Sequence, residues 1–318
     1  MSGTKPKKGE DGAKPRLLLL DGDVFCFIAA AAAAKDIKDP DEDIVIKWAH
    51  PSDGERILDN LVATTVERLK GDKYLFIMSD PKDNWRKHIL PSYKSNRKDT
   101  ERPQLLEHLK EYVRGKYDAM ERAGMEADDL LGIIATMKSG TVPLKGKRLK
   151  PTEFERVIVT KDKDLKSVPC VFANLSRVMD TPNYQPEPIS VQMADFWHMV
   201  QAFAGDKVDG YDGCPGIGME RASTILRSPV VLVPDNGFIT RGKNKGQRTV
   251  KWMPRRTTDL WDCILSHYQK AGLSEEEALV QARVARICRA DDYDIKNNQV
   301  KLWTPTKSRA VETPPGTT

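Results

Sequence analysis

Short, fully apolar runs alternate with amphipathic segments along the first 175 residues of this chain of 318 residues. Strands that are buried on both faces have this length and composition. The runs are RLLLL (16–20), KYLFIM (73–78), RVIVT (156–160) and CVFANL (170–175). Between them, apolar residues recur at helical spacing, as in 55–70 and 104–114. This alternation predicts an α/β fold with a central, mostly parallel sheet flanked by helices.

The pattern changes near residue 186, where the chain turns mostly helical. We therefore expect an α/β part at 16–185 and a helical part at 186–304. The flanking segments 1–15 and 305–318 are polar and rich in Lys, Gly, Pro or Thr, which predicts disordered tails. No stretch has the length of a membrane-spanning helix, so we expect no membrane association.

Three of the predicted strands are followed by aspartates, namely Asp21, Asp80, and the pair Asp162 and Asp164. The carboxyl ends of parallel strands meet at one edge of a sheet, where α/β proteins bind their ligands. In an extended segment Asp162 and Asp164 would point the same way, because side chains alternate with a period of two.

Further acids surround a buried helix in GMEADDLLGIIA (124–135), which contains Glu126, Asp128 and Asp129. One or two acids suit the first turn of a helix because they complement its dipole. Three acids would repel one another unless a cation compensated them. The segment GDKVDG adds Asp206 and Asp209, which are three residues apart and would share one face of a helical turn.

These nine carboxylates form an oxygen-only set of candidate ligands, which suits hard cations such as Mg²⁺ or Mn²⁺. Zinc would require His or Cys at ligand spacing, which this chain lacks. Two hard cations a few ångströms apart form the kind of site that hydrolyses phosphodiesters. The five cysteines form no C-x-x-C pair, so we expect reduced thiols in a cytoplasmic compartment.

Two basic segments suggest an anionic partner, although the net charge of +5 is a weak indication by itself. DNWRKHILPSYKSNRKDTER (83–102) interleaves Lys and Arg with Trp85 and Tyr93. This composition fits either a solvated loop or a surface on which bases stack and phosphates meet cations. RGKNKGQRTVKWMPRR (241–256) has seven Lys or Arg residues and no acid, and fits either an exposed basic hairpin or loop that contacts duplex DNA or a merely soluble loop.

The order D…D…ExDD…DxD…GDxxD resembles the 5′-nuclease superfamily, which includes flap endonucleases and the 5′→3′ exonuclease domains of bacterial DNA polymerases. DNWRKHILPSYKSNRK, KDKDLKSVP, RGKNKGQRTVKW and LWDCI are similar to the 5′→3′ exonuclease of short-tailed, T-odd-type bacteriophages. The resemblance spans about residues 16–304. It implies a PIN-like nuclease core at 16–185 with a helical arch at 81–103. It also implies a duplex-binding part at 186–304 with a helix–turn–helix element.

The resemblance also assigns roles to residues and implies two Mg²⁺ or Mn²⁺ ions per active site. The first metal cluster would use Asp21, Asp80, Glu126 and Asp128. The second would use Asp129, Asp162, Asp164, Asp206 and Asp209, although the division between Asp128 and Asp129 stays open. Asp23 has no counterpart, and helix capping is its expected role.

In the arch, either Lys87 or Arg86 would contact the scissile phosphate or the 5′ strand together with Lys94 and Arg97. Tyr93 would contact DNA. The glycine-rich segment GYDGCPGIGMERASTIL (210–226) matches the helix–turn–helix element, which would grip the duplex backbone around a bound K⁺. Its candidate DNA contacts, with those of the basic stretch, are Gly213, Gly216, Gly218, Arg221, Arg248 and Lys251. Glu220 stands where the family often has Lys, which makes Arg221 the substitute.

The sequence thus predicts a metal-dependent 5′→3′ exonuclease that acts on duplex DNA, and also on RNA–DNA hybrids if the resemblance extends that far. Its setting would be phage DNA replication, primer removal and host-DNA degradation, in the host cytoplasm and beside phage replication proteins. One alternative is a structure-specific 5′ flap endonuclease on the same scaffold. The other is a non-catalytic DNA-binding protein.

Overall fold

The computed structural model describes residues 14–38, 45–96, 101–144 and 146–305. The described residues divide into two compact units, the first within 1–85, 99–191 and 287–301 and the second within 86–98, 192–286 and 302–318. This division differs from the expected boundary at 185, because 86–98 belongs to the second unit and 287–301 to the first. Almost all of both predicted tails, and residues 97–100 of the predicted arch, lie outside the described residues.

The strands are β1 (Arg16–Asp21), β2 (Lys35–Lys38), β3 (Val45–Trp48), β4 (Lys73–Ile77), β5 (Ala119–Met120), β6 (Val142–Leu144), β7 (Lys147–Leu149), β8 (Glu155–Thr160), β9 (Cys170–Asn174), β10 (Glu187–Ile189), β11 (Val230–Phe238), β12 (Arg248–Arg256), β13 (Tyr293–Asp294) and β14 (Gln299–Val300). The α-helices are α1 (Gly22–Ala33), α2 (Pro51–Leu69), α3 (Arg86–Ile89), α4 (Leu106–Lys116), α5 (Ala127–Thr136), α6 (Leu175–Asp180), α7 (Val191–Ala204), α8 (Met219–Arg227), α9 (Leu260–Lys270) and α10 (Glu275–Ala285). Within the described residues, no helix is long and apolar enough to cross a lipid bilayer.

The first unit is built on a six-stranded sheet in the order β10-β9-β8-β1-β4-β5. β1 is central and pairs in parallel with β4 and β8, and only β10 is antiparallel. The predicted mostly parallel sheet is therefore confirmed. The four apolar runs became β1, β4, β8 and β9, because uninterrupted Leu, Ile and Val side chains need cover on both faces.

Both faces of the sheet are buried. Leu18 and Leu20 pack with Phe76 of β4 in a cluster that includes α1, α2 and α4. Leu17 and Leu19 alternate to the opposite face and are equally buried. This close packing fixes the positions of the strand ends, which carry the candidate acids.

The second unit has its own core, formed mainly by α7, α8, α9 and α10. These four helices agree with the expectation that this part of the chain is mostly helical. The sequence pattern did not reveal the full hairpin, in which β11 and β12 pair along nine residues each. Residues 248–256 of the basic stretch thus form a strand of a hairpin, and its contact with a duplex stays a prediction.

Candidate active site

Asp21 is the last residue of β1 and lies at the carboxyl edge of the sheet, where it is only 3% exposed. The parallel pairing of β1 with β8 brings Thr160, the last residue of β8, beside it. The Thr160 hydroxyl donates to Asp21 Oδ2 over 2.6 Å and accepts the Asp162 amide N–H over 3.0 Å. The buried threonine thus connects the two strand ends that carry the acids.

The environment of Asp21 favours a cation. Burial raises the pKa of the Asp21 carboxyl to about 7, and the negative charges of Asp23 and Asp162 add to this rise. Hydrogen bonds from Thr160 and from the Val24 amide oppose it. A divalent ion beside Asp21 would compensate both the desolvation and the repulsion.

Asp162 and Asp164 do not lie in an extended segment, which corrects the expectation that their side chains point the same way. Asp162 precedes a 3₁₀-helix at Lys163–Ser167, and its carboxylate accepts the Asp164 amide N–H over 2.8 Å. Both side chains are half-buried. The turn keeps both acids close to the end of β8, since each is within four residues of Thr160.

Asp80 follows β4 and connects it to the acidic segment before α5. Its carboxylate accepts the Gly124 amide N–H over 2.7 Å and the Lys82 amide N–H over 2.9 Å. These two bonds, that from Gly124 above all, lower the pKa of the Asp80 carboxyl. The Asp80 amide in turn donates to the Met125 carbonyl. Asp80 is therefore held as an anion next to Glu126.

Asp23 and Ser79 connect three of the segments that carry acids. Asp23 Oδ2 accepts the Ser79 amide N–H over 3.1 Å, and Ser79 Oγ accepts the Ala127 amide N–H over 2.9 Å at the start of α5. Asp23 Oδ1 also lies 2.9 Å from Lys110 Nζ. The residue that caps α1 is Asp21, through the Val24 amide, so the expectation that Asp23 caps a helix was wrong.

Asp129 has the contacts of a structural carboxylate. It is fully buried, and its Oδ2 accepts the Trp85 indole N–H over 2.8 Å while its Oδ1 accepts the Cys288 amide N–H over 3.0 Å. Glu126 and Asp128, by contrast, are half-buried. Both carboxylate oxygens of Asp129 accept protein N–H groups, which corrects the prediction that Asp129 is a metal ligand.

The remaining acids of the first unit fit a hard cation by their chemistry. Within the described ranges, no three Asp, Glu, His or Cys side chains are already grouped as a metal site. Mg²⁺ does not require such a cage, because it keeps several waters and commonly uses one or two carboxylates. The strand-end oxygens are therefore a suitable donor set for Mg²⁺ or Mn²⁺.

Asp206 and Asp209 lie in the second unit, in a turn after α7 rather than on a helical turn. Asp206 Oδ1 accepts the amide N–H groups of Val208 and Asp209 over 2.7 and 3.2 Å. The carboxylate of Asp209 accepts the Tyr93 hydroxyl over 3.2 Å and lies 3.5 Å from Lys94 Nζ. Asp209 is thus placed beside a lysine of the predicted arch.

Two of the predicted arch contacts are buried. Arg86 is 2% exposed and donates from Nε to the Val284 carbonyl and from Nη2 to the Arg286 carbonyl, each over 2.8 Å. It therefore satisfies carbonyls at the end of α10, which corrects its candidacy as a phosphate contact. Tyr93 is 4% exposed within the core of the second unit, so it cannot stack on a base as expected. Lys87 is exposed, and Arg97 lies outside the described residues.

The glycine-rich element connects α7 to α8. Gly213 has a φ of +67° and packs so tightly that a Cβ would lie 2.3 Å from backbone atoms of Ala204 and Gly205. Its amide N–H donates to Gln281 Oε1 over 2.9 Å, which corrects the prediction that it binds phosphate.

Gly216 and Gly218 are exposed, and α8 begins after Gly218 without a side-chain cap. Arg221 is also exposed and donates to the Gly216 carbonyl over 3.1 Å. On β12, Arg248 and Lys251 are exposed as well. These exposed groups are therefore accessible to the phosphate backbone of a nucleic acid.

The sequence pattern did not point to Thr160, Ser79 or Lys110. A hydroxyl residue lies two residues after β4 and another ends β8, in each case just before the acids. This recurrence is the signal that could have identified Ser79 and Thr160. For Lys110 the sequence has no such signal, because its partner Asp23 lies on another helix.

Residues 16–179 match the family described as 5′-3′ exonuclease, N-terminal resolvase-like domain. The chain is 34% identical over 301 residues to an exodeoxyribonuclease of Enterobacteria phage T3, a match that covers 91% of this chain and 93% of that relative. It is 32% identical over the same length and coverage to an exonuclease of Escherichia phage T7. A flap endonuclease Xni of Shewanella oneidensis is 28% identical over 156 residues, which is 46% of this chain and 53% of that relative.

Proposed function

Because the chain belongs to the 5′-3′ exonuclease family and is a 5′→3′ exonuclease, we propose that it hydrolyses duplex DNA from 5′ ends with the help of divalent metal ions. The observation that carries this proposal is the carboxyl edge of the sheet. There burial raises the pKa of Asp21 to about 7, and the nearby charges of Asp23 and Asp162 add to a rise that a bound cation would offset.

Mg²⁺ or Mn²⁺ would be held by the buried Asp21 and by half-buried acids of the first unit. One ion would use Asp21, Asp80, Glu126 and Asp128. A second would use Asp162 and Asp164, and the inclusion of Asp206 and Asp209 stays a prediction from the sequence. Asp129 is reassigned from ligand to positioning residue. When bound, such ions neutralise charge on the scissile phosphate and make water a better nucleophile.

The side chains of the protein would bind and orient the strand. Lys87, the exposed cation of α3, would offset phosphate charge. Lys94 would do so if a phosphate replaced Asp209, whose carboxylate lies 3.5 Å from Lys94 Nζ. Gly216, Gly218 and the uncapped start of α8 suit a duplex phosphate. The remaining proposed contacts are Arg97 at the arch, Arg221 with a K⁺ ion at the turn, and Arg248 and Lys251 on β12.

The biological setting is proposed from the relatives. The two relatives that match 91% of this chain are phage enzymes, which supports roles in phage DNA replication, primer removal and host-DNA degradation in the host cytoplasm. Action on RNA–DNA hybrids and contact with phage replication proteins are part of the same proposal. The flap endonuclease relative supports a 5′ flap cleavage activity only weakly, because it matches less than half of the chain.

The test compares a blunt duplex with a 5′-flapped duplex, each labelled at the 5′ end, in the presence of Mg²⁺ or of EDTA. An exonuclease releases labelled mononucleotides from the blunt duplex in Mg²⁺ only. A flap endonuclease instead releases the whole flap and leaves the blunt duplex intact. Binding without any release would identify a non-catalytic DNA-binding protein. Asp162→Asn is the matched variant, and it should abolish release while it keeps DNA binding.

A further inference from the structure

The β11–β12 ribbon (residues 230–256) carries none of the candidate metal ligands. Its two strands pair from Val230 opposite Arg256 to Phe238 opposite Arg248, and nine residues per strand extend about 30 Å. Near the base, the Leu232 amide donates to Ser266 Oγ of α9 over 3.0 Å. The ribbon is thus anchored at one end and long enough to contact several nucleotides.

The ribbon is strongly basic. It contains one acid, Asp235, against seven exposed cations, which are Arg241, Lys243, Lys245, Arg248, Lys251, Arg255 and Arg256. Lysines often protect the unpaired edges of a hairpin from aggregation, and that need could explain the charge alone. It does not explain large apolar side chains that are exposed among the cations.

Phe238 is 63% exposed and Val250 is 50% exposed. Residues that lie opposite each other, or two apart along a strand, share one face of a sheet. The register therefore places Phe238, Arg248, Val250 and the half-buried Trp252 on a single face, which we call the aromatic face. Met253, which is 51% exposed, lies on the other face.

We propose that the aromatic face binds single-stranded DNA, with Phe238 stacked on a base and Arg248 on a neighbouring phosphate. Proteins that bind single-stranded nucleic acid without regard to sequence stack its bases on exposed aromatic rings and contact its phosphates with nearby cations. A duplex offers only base edges and phosphates, so it cannot use the face of an exposed phenyl ring unless its bases are unstacked.

This inference rests on the proposed function, because removal of nucleotides from a 5′ end leaves the complementary strand single-stranded. The enzyme therefore generates this ligand itself. A ribbon that holds the exposed strand would keep the enzyme on its substrate between successive cleavages and would hinder re-annealing behind it.

The experiment measures the affinity of the full chain for fluorescent oligo-dT and for a blunt duplex in EDTA, where no cleavage interferes. Phe238→Ala should weaken oligo-dT binding about fivefold or more, with a much smaller effect on the duplex. Met253→Ala, on the opposite face, is the matched control and should change neither affinity. Arg248→Ala should reduce the dependence of log affinity for oligo-dT on log salt by about 0.7.

Equal losses for Phe238→Ala and Met253→Ala, or a loss confined to the duplex, would overturn the proposal, as would unchanged oligo-dT binding. Thermal melting of each variant verifies that it is folded. Since binding in EDTA does not require catalysis, a wild-type protein that binds oligo-dT but releases no nucleotides would contradict the proposed function and leave the aromatic face supported.

Discussion

The Trp85 indole N–H donates to Asp129 Oδ2 over 2.8 Å, and the other oxygen of this carboxylate accepts the Cys288 amide over 3.0 Å. The pair fixes the first turn of α5, where Asp128 is the adjacent residue. A carboxylate accepts at both oxygens, whereas a carboxamide accepts at one and donates at the other. The two neighbouring acids therefore respond differently to the same substitution.

We expect Asp129→Asn to lower the free energy of unfolding by about 1–3 kcal/mol, because the new NH₂ group must face an N–H donor in a buried site. Asp128→Asn is the matched variant, since its side chain is half-buried. It should retain the stability of the wild type and lose Mg²⁺-dependent nucleotide release. Urea unfolding and single-turnover cleavage test the pair. An Asp129→Asn protein as stable as the wild type would contradict the structural role of this residue.

Arg86 and Lys87 are neighbours in α3 with opposite environments. Arg86→Ala should lower the free energy of unfolding by about 2–5 kcal/mol, because it leaves buried carbonyls at the end of α10 without donors. Lys87→Ala should alter stability by less than about 0.5 kcal/mol, as for other surface substitutions. It should nevertheless slow single-turnover cleavage at least about tenfold if Lys87 offsets phosphate charge. A reversal of these effects would contradict both assignments.

Ser79 should act on metal affinity through the start of α5. Ser79→Ala removes the acceptor of the Ala127 N–H, so it should cost about 1 kcal/mol of stability and raise the Mn²⁺ concentration for half-maximal cleavage about tenfold. Ser79→Thr keeps the hydroxyl and should therefore need the same Mn²⁺ concentration as the wild type for half-maximal cleavage. If both variants share the same requirement, the hydroxyl does not position the acids.

His267 predicts a dependence of stability on pH. Burial lowers the pKa of this imidazole, whose Nδ1 lies 2.8 Å from the Cys263 carbonyl. The unfolded chain therefore binds the proton more readily, with a pKa near 6.5. The contribution of His267 to the free energy of unfolding is therefore complete above about pH 6.5 and is lost as the pH falls through the pKa of the folded state. Urea unfolding between pH 7.5 and 5 should show a shallower acid decline for His267→Gln, and an identical decline would exclude this contribution.

Paired substitutions on β12 test its contact with duplex phosphates. Arg248→Ala with Lys251→Ala should reduce the slope of log affinity against log salt by about two units, or about 0.9 for each lost contact. The double variant Lys296→Ala and Lys301→Ala removes the same charge from exposed positions of the first unit. It should keep the slope of the wild type. Equal slopes for the two double variants would show that the β12 cations do not contact duplex phosphates and serve only to keep the protein soluble.

The sequence predicted the sheet and the strand-end positions of Asp21, Asp80 and Asp162, because both depend on local information. An uninterrupted apolar run such as 16–20 specifies a buried strand, and the parallel topology then brings the strand ends together. The hydrogen bonds and the burial of an individual side chain, however, depend on partners that are distant in the chain. Asp129 meets Cys288, 159 residues away, and Arg86 meets Arg286, 200 residues away. Neither pairing can be predicted from the residues that are close to it in the sequence.

Tyr93 is a partial exception. Ile89 and Leu90 precede it at helical spacing, and both pack on the same core. This spacing indicates a buried face, but the adjacent cations suggested a nucleic-acid surface instead. The hairpin was hard to predict for a different reason. Its strands are largely exposed and contain Pro234 and Pro254, so they lack the apolar alternation that marks a strand.

The central position of β1 has a consequence for the synthesis of this protein. Asp21 is synthesised 139 residues before its hydroxyl partner Thr160. β8 must insert beside β1 before the edge that carries the acids is complete, and such distant pairings form slowly. A nascent chain that ends before residue 155 lacks this strand and its two aspartates. The order of translation thus delays nuclease activity until most of the first unit has been made.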